Sequence, residues 1–257
     1  MIEESNKTSW GKVASWYDEL LAGKNTYQKE IILPHLKRLM NIQKGINVLD
    51  VACGPGFFSK EFALLGAQVT GIDASKELIA LANKNTPKEL GVSYHASPAH
   101  KLEFIAEKSI DEVALILAIQ NMDDPASVLT ACNRILKSAG RIHIVMTHPA
   151  FRMPASSSWG WDREKNIQYR RIDAYLTEKR VRIITHPGSE PSPYTLSYHR
   201  PLQFYFKALA RAGFAVSQFE EWTSRKKSGR GPRQNAEDRA RLEIPLFLYM
   251  QTLHKSF

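Results

Sequence analysis

The stretch Val48-Leu-Asp-Val-Ala-Cys-Gly-Pro-Gly-Phe57 decides how the rest of the chain is read. Residues 46–51 are a short apolar run rich in β-branched types, Cys53-Gly-Pro-Gly56 is a tight turn, and residues 57–65 have helical spacing closed by Gly66. The order is strand, turn, helix. Such a turn suits several nucleotides, and two details narrow the choice. A dinucleotide-binding turn carries a third glycine where the helix amides face a diphosphate, and here Ser59 stands at that place. Asp50 ends the strand beside the turn, where a carboxylate repels a diphosphate and attracts an ammonium or a sulfonium.

The same alternation extends outward. Residues 68–73 read as a second strand ending on Asp73, and Ser75 is placed to cap a helix over 75–84. A carboxylate at that strand end accepts hydrogen bonds from both hydroxyls of a ribose. Strands over 91–95 and 110–117 follow, then a helix over 125–137 started by Asp124 and Pro125 and ended by Gly140, then a fifth strand over 141–146. Upstream, residues 10–18 and 27–40 have apolar positions at helical spacing and predict two helices. Residues 149–199 break the pattern and predict an irregular lid, too long for a plain connection. A helix over 201–212, a strand over 215–223, a basic loop over 224–241 and a strand over 243–253 complete the chain.

This pattern predicts an α/β fold: a doubly wound, mostly parallel seven-stranded sheet with an antiparallel final strand, N-terminal helices and a lid insertion after strand 5. The organisation expected is one domain over 1–257, with a helical cap at 1–45, a cofactor-binding core at 46–148, a substrate lid at 149–200 and a C-terminal helix and strand pair at 201–257. Ligands of such sheets bind outside the carboxyl ends of the strands.

A ligand that combines ribose, ammonium and sulfonium is S-adenosylmethionine, and here the sequence resembles the class I, Rossmann-like methyltransferases. Residues 48–57 match that family's first motif almost residue for residue, and Val69-Thr-Gly-Ile-Asp-Ala-Ser75 matches the segment after it. The resemblance covers roughly residues 10–145, and the tail resembles bacterial methyltransferase-like proteins of the methyltransferase-11 and methyltransferase-25 kind. It implies S-adenosylmethionine as cofactor, with S-adenosylhomocysteine as product, held by Asp50, Ala52, Cys53, Gly54, Gly56, Asp73, Ala74 and Ser75. By position Ser97, Pro98 and Ala99 form the adenine loop, where many members place an acid that this chain lacks. Leu117, Ala118 and Gln120 correspond to the fourth-strand end that lines the cofactor. Tyr17 resembles the aromatic that closes over it, with core packing as the competing role.

Composition bounds the partners. With 43% hydrophobic and 24% charged residues, and no apolar run near the roughly 20 residues of a bilayer span, no membrane is expected. Residues 1–10 are polar and acidic, unlike an export signal, so the expected location is the cytoplasm. Cys53 and Cys132 read as reduced thiols, and no metal site is expected. The net charge of +9 is unevenly placed: residues 1–148 carry 16 basic and 16 acidic side chains, whereas residues 149–257 carry 19 and 10. The later part therefore suits an anionic partner, or presents a solvated basic surface.

Methyl transfer from a sulfonium is a direct displacement that needs alignment and exclusion of water rather than a covalent nucleophile. A hydroxyl or protonated amine acceptor would need a general base, for which His148 and His199 are candidates, each with packing as the bland alternative. The lid holds Trp159, Trp161, Tyr169, Arg170, Arg171, Tyr175, His186, Tyr194, Tyr198 and Arg200. From these Trp159, Tyr169, Arg171, Tyr198 and Arg200 are the candidate acceptor contacts, a mixture suited to a small aromatic or anionic metabolite. The expected assembly is a monomer or homodimer. Two alternatives stand beside this reading. One is an RNA methyltransferase using Arg225, Lys226, Lys227, Arg230 and Arg233 as phosphate contacts, although Gln120-Asn-Met-Asp-Asp-Pro125 lacks the base-methylating signature. The other is a non-catalytic cofactor-binding protein.

Overall fold

A computed structural model describes residues 10–184 and 194–255; His186 lies outside the described residues. After a 3-10 turn at Gly11–Val13, helix α1 spans Ala14–Ala22, and a π turn at Gln28–Ile32 runs into α2, Leu33–Met40. The strand and helix series then proceeds as β1 Asn47–Val51, α3 Phe57–Leu64, β2 Gln68–Asp73, α4 Lys76–Asn85, β3 Ser93–Ala96, β4 Ile110–Ile116, α5 Pro125–Ile135 and β5 Leu136–Thr147. Two hairpins follow, β6 Ser157–Asp162 with β7 Ile167–Ile172, and β8 Lys179–Ile184 with β9 Tyr194–His199. Helix α6 Leu202–Arg211, β10 Phe214–Trp222, α7 Gln234–Glu243 and β11 Phe247–His254 end the described chain.

The main sheet has seven strands in the order β10-β11-β5-β4-β1-β2-β3. β1 to β5 pair in parallel. The final strand β11 runs antiparallel to both β5 and β10. This is the expected fold class. Alternation along the strands divides the core between the two faces of the sheet. Leu49, Val51, Ile72 and Leu115 pack with Val128 and Leu129 of α5 and Leu209 of α6, whereas Val48, Val69 and Ala114 pack with Leu36 of α2 and Phe62 of α3. Local signals hold where they were read: Ser75 accepts the Leu78 amide at 3.1 Å and caps α4, and Asp124 accepts the Ser127 amide at 3.1 Å ahead of Pro125 and caps α5.

The structure differs from the sequence reading at three boundaries. Helix α5 stops at Ile135 rather than Lys137, because Leu136 pairs with Ile110 and Lys137 Nζ reaches Asp111 at 2.8 Å. Strand pairing overrides helix propensity there. The stretch expected to be an irregular lid is built of hairpins, and in the first of them the ring of Tyr169 lies across Gly160 of the facing strand, where a Cβ would come within 2.6 Å of ring atoms. The basic loop closes into a helix over its second half, since α7 places Ala236 and Ala240 one turn apart and buries both. The last strand accordingly begins at Phe247 rather than at residue 243. Among the described residues no helix is long and apolar enough to cross a membrane, and no group of three or more His, Cys, Asp and Glu side chains is arranged to hold a metal ion.

Candidate active site

The turn after β1 is made of left-handed residues: Ala52 at φ 58°, Gly54 at φ 56° and Gly56 at φ 83°. It is tied to β2 by the Cys53 amide donating to the Ile72 carbonyl at 2.9 Å and the Gly54 amide donating to Asp73 Oδ2 at 3.0 Å. Asp73 Oδ1 accepts the Ser75 amide at 2.9 Å. Asp50 is 2% exposed and accepts from Ser59 Oγ at 2.6 Å. Burial pushes its carboxyl up to about 7, against the Ser59 hydrogen bond and with help from the charge of Asp73. Burial also raises Asp73, opposed by its backbone donors. Two carboxylates thus stand at the carboxyl ends of neighbouring strands.

Between them opens a cavity of about 450 Å³. Asp50, Ala52, Cys53, Gly54, Asp73 and Ala74 line its floor, and Ser97, Pro98 and Ala99 one wall. Leu117, at φ 54°, and Ala118 come in from the end of β4, and Tyr17 and Trp10 from the N-terminal segment. Tyr17 sits edge-on to Trp10 at 5.6 Å, and burial raises its phenol. Burial likewise holds the Cys53 thiol well above its ordinary value.

Three expected contacts lie outside this lining. Gly56 is needed for close packing, because a Cβ there would stand 2.5 Å from the Tyr94 hydroxyl. Ser75 is spent on capping α4. The Gln120 amide oxygen is buried without a partner among the described residues. Ser97 Oγ donates to the Lys101 carbonyl at 2.9 Å, which leaves the hydroxyl only its acceptor side.

The 97–99 loop carries no acid, but acids from another loop line the same cavity. Asp123 and Asp124, from the loop before α5, and His100 line the same cavity, as do Asn121 and Met122. Sequence reading missed the first three as site residues: Asp124 was taken up by its cap signal, and the direction in which Asp123 and His100 face depends on the docking of whole loops.

Neither candidate base faces this cavity. His148 is 1% exposed; its Nδ1 accepts the Ala150 amide at 3.2 Å and the Phe151 amide at 3.4 Å, so Nε2 carries the proton and donates to Glu221 Oε1 at 2.7 Å. Burial lowers its pKa, opposed by Glu221. His199 is buried, with Nε2 donating to the Tyr175 carbonyl at 2.7 Å.

The five lid contacts separate as well. Arg200, 5% exposed, lies 4.7 Å from the Tyr198 ring and 4.9 Å from that of Phe204, and donates to the carbonyls of Met122 at 2.9 Å and Asp123 at 2.6 Å. It braces the cavity rim through the backbone. Arg171 is on the surface, paired with Asp173 at 3.0 Å, and Tyr169 covers Gly160. Trp159 belongs to a second cavity. Of the basic set near residue 230, Lys226 is held by the Asn25 carbonyl at 2.6 Å and Lys227 by Asp238 at 3.3 Å.

The family model described as "Methyltransferase domain" matches residues 49–144, the stretch that carries both strand-end acids, Asp50 and Asp73. The chain carries a class I S-adenosylmethionine-dependent methyltransferase domain. Over 101 residues it is 35% identical to a ubiquinone biosynthesis O-methyltransferase of Xanthomonas oryzae pv. oryzae, a match that takes in 39% of this chain and 42% of that relative. The likeness to this curated relative thus spans less than half its length.

Among solved structures, an S-adenosylmethionine-dependent methyltransferase from Mesorhizobium loti superposes with a TM-score of 0.66 at 26% identity, covering 85% of this chain and 95% of that one. A 1,6-didemethyltoxoflavin-N1-methyltransferase from Burkholderia thailandensis, with S-adenosylhomocysteine bound, shares the fold at a TM-score of 0.54 and 15% identity over 96% of this chain and 89% of that one. The cofactor of the methyltransferase domain is S-adenosylmethionine. The cavity fits it: a buried carboxylate, Asp50, faces the space with only the Ser59 hydroxyl as side-chain partner among the described residues, as a cationic ligand requires.

Proposed function

We propose that the protein transfers the methyl group of S-adenosylmethionine to a small acceptor bearing an aromatic or anionic group. The observation that carries this reading is the cavity in which Asp50 and Asp73 face a common space closed by Tyr17. In it Asp50 holds the cofactor ammonium, Asp73 accepts the ribose hydroxyls, and Ala52, Cys53, Gly54 and Ala74 line its path. Ser97, Pro98, Ala99 and Asp123 border the adenine, with Leu117 and Ala118 against the opposite edge. When bound, the cofactor would supply an electrophilic methyl group, to which the acceptor bonds as the sulfur–methyl bond breaks and S-adenosylhomocysteine leaves.

What this chain adds is alignment and dryness. Tyr17 and Trp10 cover the cavity, and Arg200 holds the Met122–Asp123 backbone that forms its rim. His148 and His199 act here as hydrogen-bonded supports of the rim and lid, so an acceptor already ionised in solution, such as a carboxylate or an acidic phenol, suits the site better than a protonated amine or an ordinary hydroxyl.

The test is isothermal titration with S-adenosylmethionine and, separately, with NAD, followed by S-adenosylhomocysteine release in the presence of phenols, small acids and RNA. Binding of S-adenosylmethionine alone, with turnover on a phenol or acid, supports the reading. Binding of NAD overturns the assignment of Asp50, and turnover on RNA alone overturns the acceptor class.

A further inference from the structure

A second cavity, of about 360 Å³, lies between the first lid hairpin, α7 and the N-terminal segment. It shares no lining residue with the cofactor cavity. Three guanidiniums line it: Arg152 from the chain after β5, Arg170 from β7 and Arg241 from α7, with Glu237 as the one carboxylate in the lining. Among the described residues none of the three arginines is within 4.0 Å of a carboxylate, whereas Lys226 and Lys227 nearby pair with Glu30 at 3.9 Å and Asp238 at 3.3 Å. Instead they are held in place by neutral groups. The guanidinium carbons of Arg152 and Arg170 each lie 5.1 Å from the Trp159 ring centroid. Arg170 also donates to the Phe151 carbonyl at 2.8 Å and to Ser157 Oγ at 2.6 Å, and Arg152 to the Ile244 carbonyl at 3.3 Å.

Two further observations point to a ligand. The Arg152 Nε is buried with no acceptor among the described residues, and the Gln168 amide oxygen in the same lining is buried with no donor. A buried donor left without a partner is costly, the more so when charged, so such atoms are normally met by something in the cavity. Burial first, and then the charges of Arg170 and Arg241, draw Arg152 down to about 10, still charged at neutral pH. Tyr27, Trp159 and Leu246 supply apolar wall.

We infer that this second cavity is a binding site for a small organic oxyanion, a carboxylate or phosphate monoester, held by Arg152, Arg170 and Arg241 against the Trp159 ring. Guanidinium forks match the planar or tetrahedral oxygens of such groups, and the volume falls within the range of small-molecule sites. The basic excess of the later part of the chain thereby acquires a specific place. The inference goes beyond the methyl-transfer reading and does not depend on it, since the site is separate from the cofactor cavity.

The test is isothermal titration of the full chain at 150 mM salt, of the order of physiological ionic strength, with inorganic phosphate and with benzoate as probes. Arg241→Gln is the main variant, because the Arg241 side chain makes no hydrogen bond or ion pair to the described residues, and Arg171→Gln on the same hairpin is the control. One-to-one binding of at least one probe, weakened at least tenfold by Arg241→Gln, strengthened several-fold by Glu237→Gln and unchanged by Arg171→Gln, is the expected result. S-adenosylmethionine affinity stays within twofold in all three variants. The Glu237→Gln arm reads the site even if Arg241→Gln proves unstable. Absence of saturable binding of both probes, or equal weakening by Arg241→Gln and Arg171→Gln, overturns the inference, as does a short oligonucleotide that outcompetes both probes.

Discussion

Ser59 Oγ donates to Asp50 Oδ2 across 2.6 Å, and both side chains are buried. The serine that breaks the dinucleotide pattern is thus the partner that moderates a buried acid. Apo Asp50 titrates near 7, above its unfolded value, so it disfavours the folded chain increasingly as pH rises from about 4 toward 7. An ammonium ligand needs the ionised form. S-adenosylmethionine affinity is therefore expected to rise by up to about tenfold per pH unit below 7 and to level off above it. Calorimetry from pH 5.5 to 8.5 checks this; Asp50→Asn should be weak and flat with pH, and a flat wild-type profile would sink the assignment. Ser59→Ala should move the inflection upward.

Asp73 ties the two turns together through Gly54 and Ser75 as well as facing the cavity. Asp73→Ala is expected to weaken cofactor binding by about 1–3 kcal/mol, the worth of hydrogen bonds to a charged group, which is roughly 5- to 150-fold in Kd. An unchanged Kd would remove the ribose role.

Arg200 braces the rim that carries Asp123. Replacement by Met keeps length and apolar packing but removes two charge-assisted donors, and is expected to cost about 2–4 kcal/mol of stability. Chemical unfolding measures the loss. If Arg200 instead meets the acceptor directly, stability will hold and KM for the acceptor will rise.

Inside the sheet, fully buried His143 donates from Nε2 to Glu112 at 2.8 Å, while its Nδ1 meets the Tyr249 hydroxyl at 2.8 Å. His143→Ala leaves the Glu112 carboxylate, 8% exposed, without that partner, and about 3–5 kcal/mol of destabilisation is expected. Adding Glu112→Gln should recover part of it, and a strictly additive double variant would show that the pair is not coupled.

What the sequence determined by itself was local: the β1 turn with its left-handed glycines, the acids that end β1 and β2, and the caps Ser75 and Asp124. Each follows from backbone sterics or from hydrogen bonds spanning a few residues, and a single chain segment carries the whole signal. The class of the sheet, doubly wound and mostly parallel, was also legible, because alternating strands and helices leave few right-handed solutions.

Only the tertiary structure decided which side chains meet across long separations. Leu136 joined a strand because Ile110 was there to pair with it, and Arg200 turned to the Met122 and Asp123 carbonyls rather than to open space. Both candidate histidines found partners that the linear order does not reveal, Glu221 and the Tyr175 carbonyl. Asp123 entered the cofactor cavity and Arg152, Arg170 and Arg241 converged on another for the same reason. Their positions are set by packing between elements distant in sequence, where no local period or spacing records the outcome.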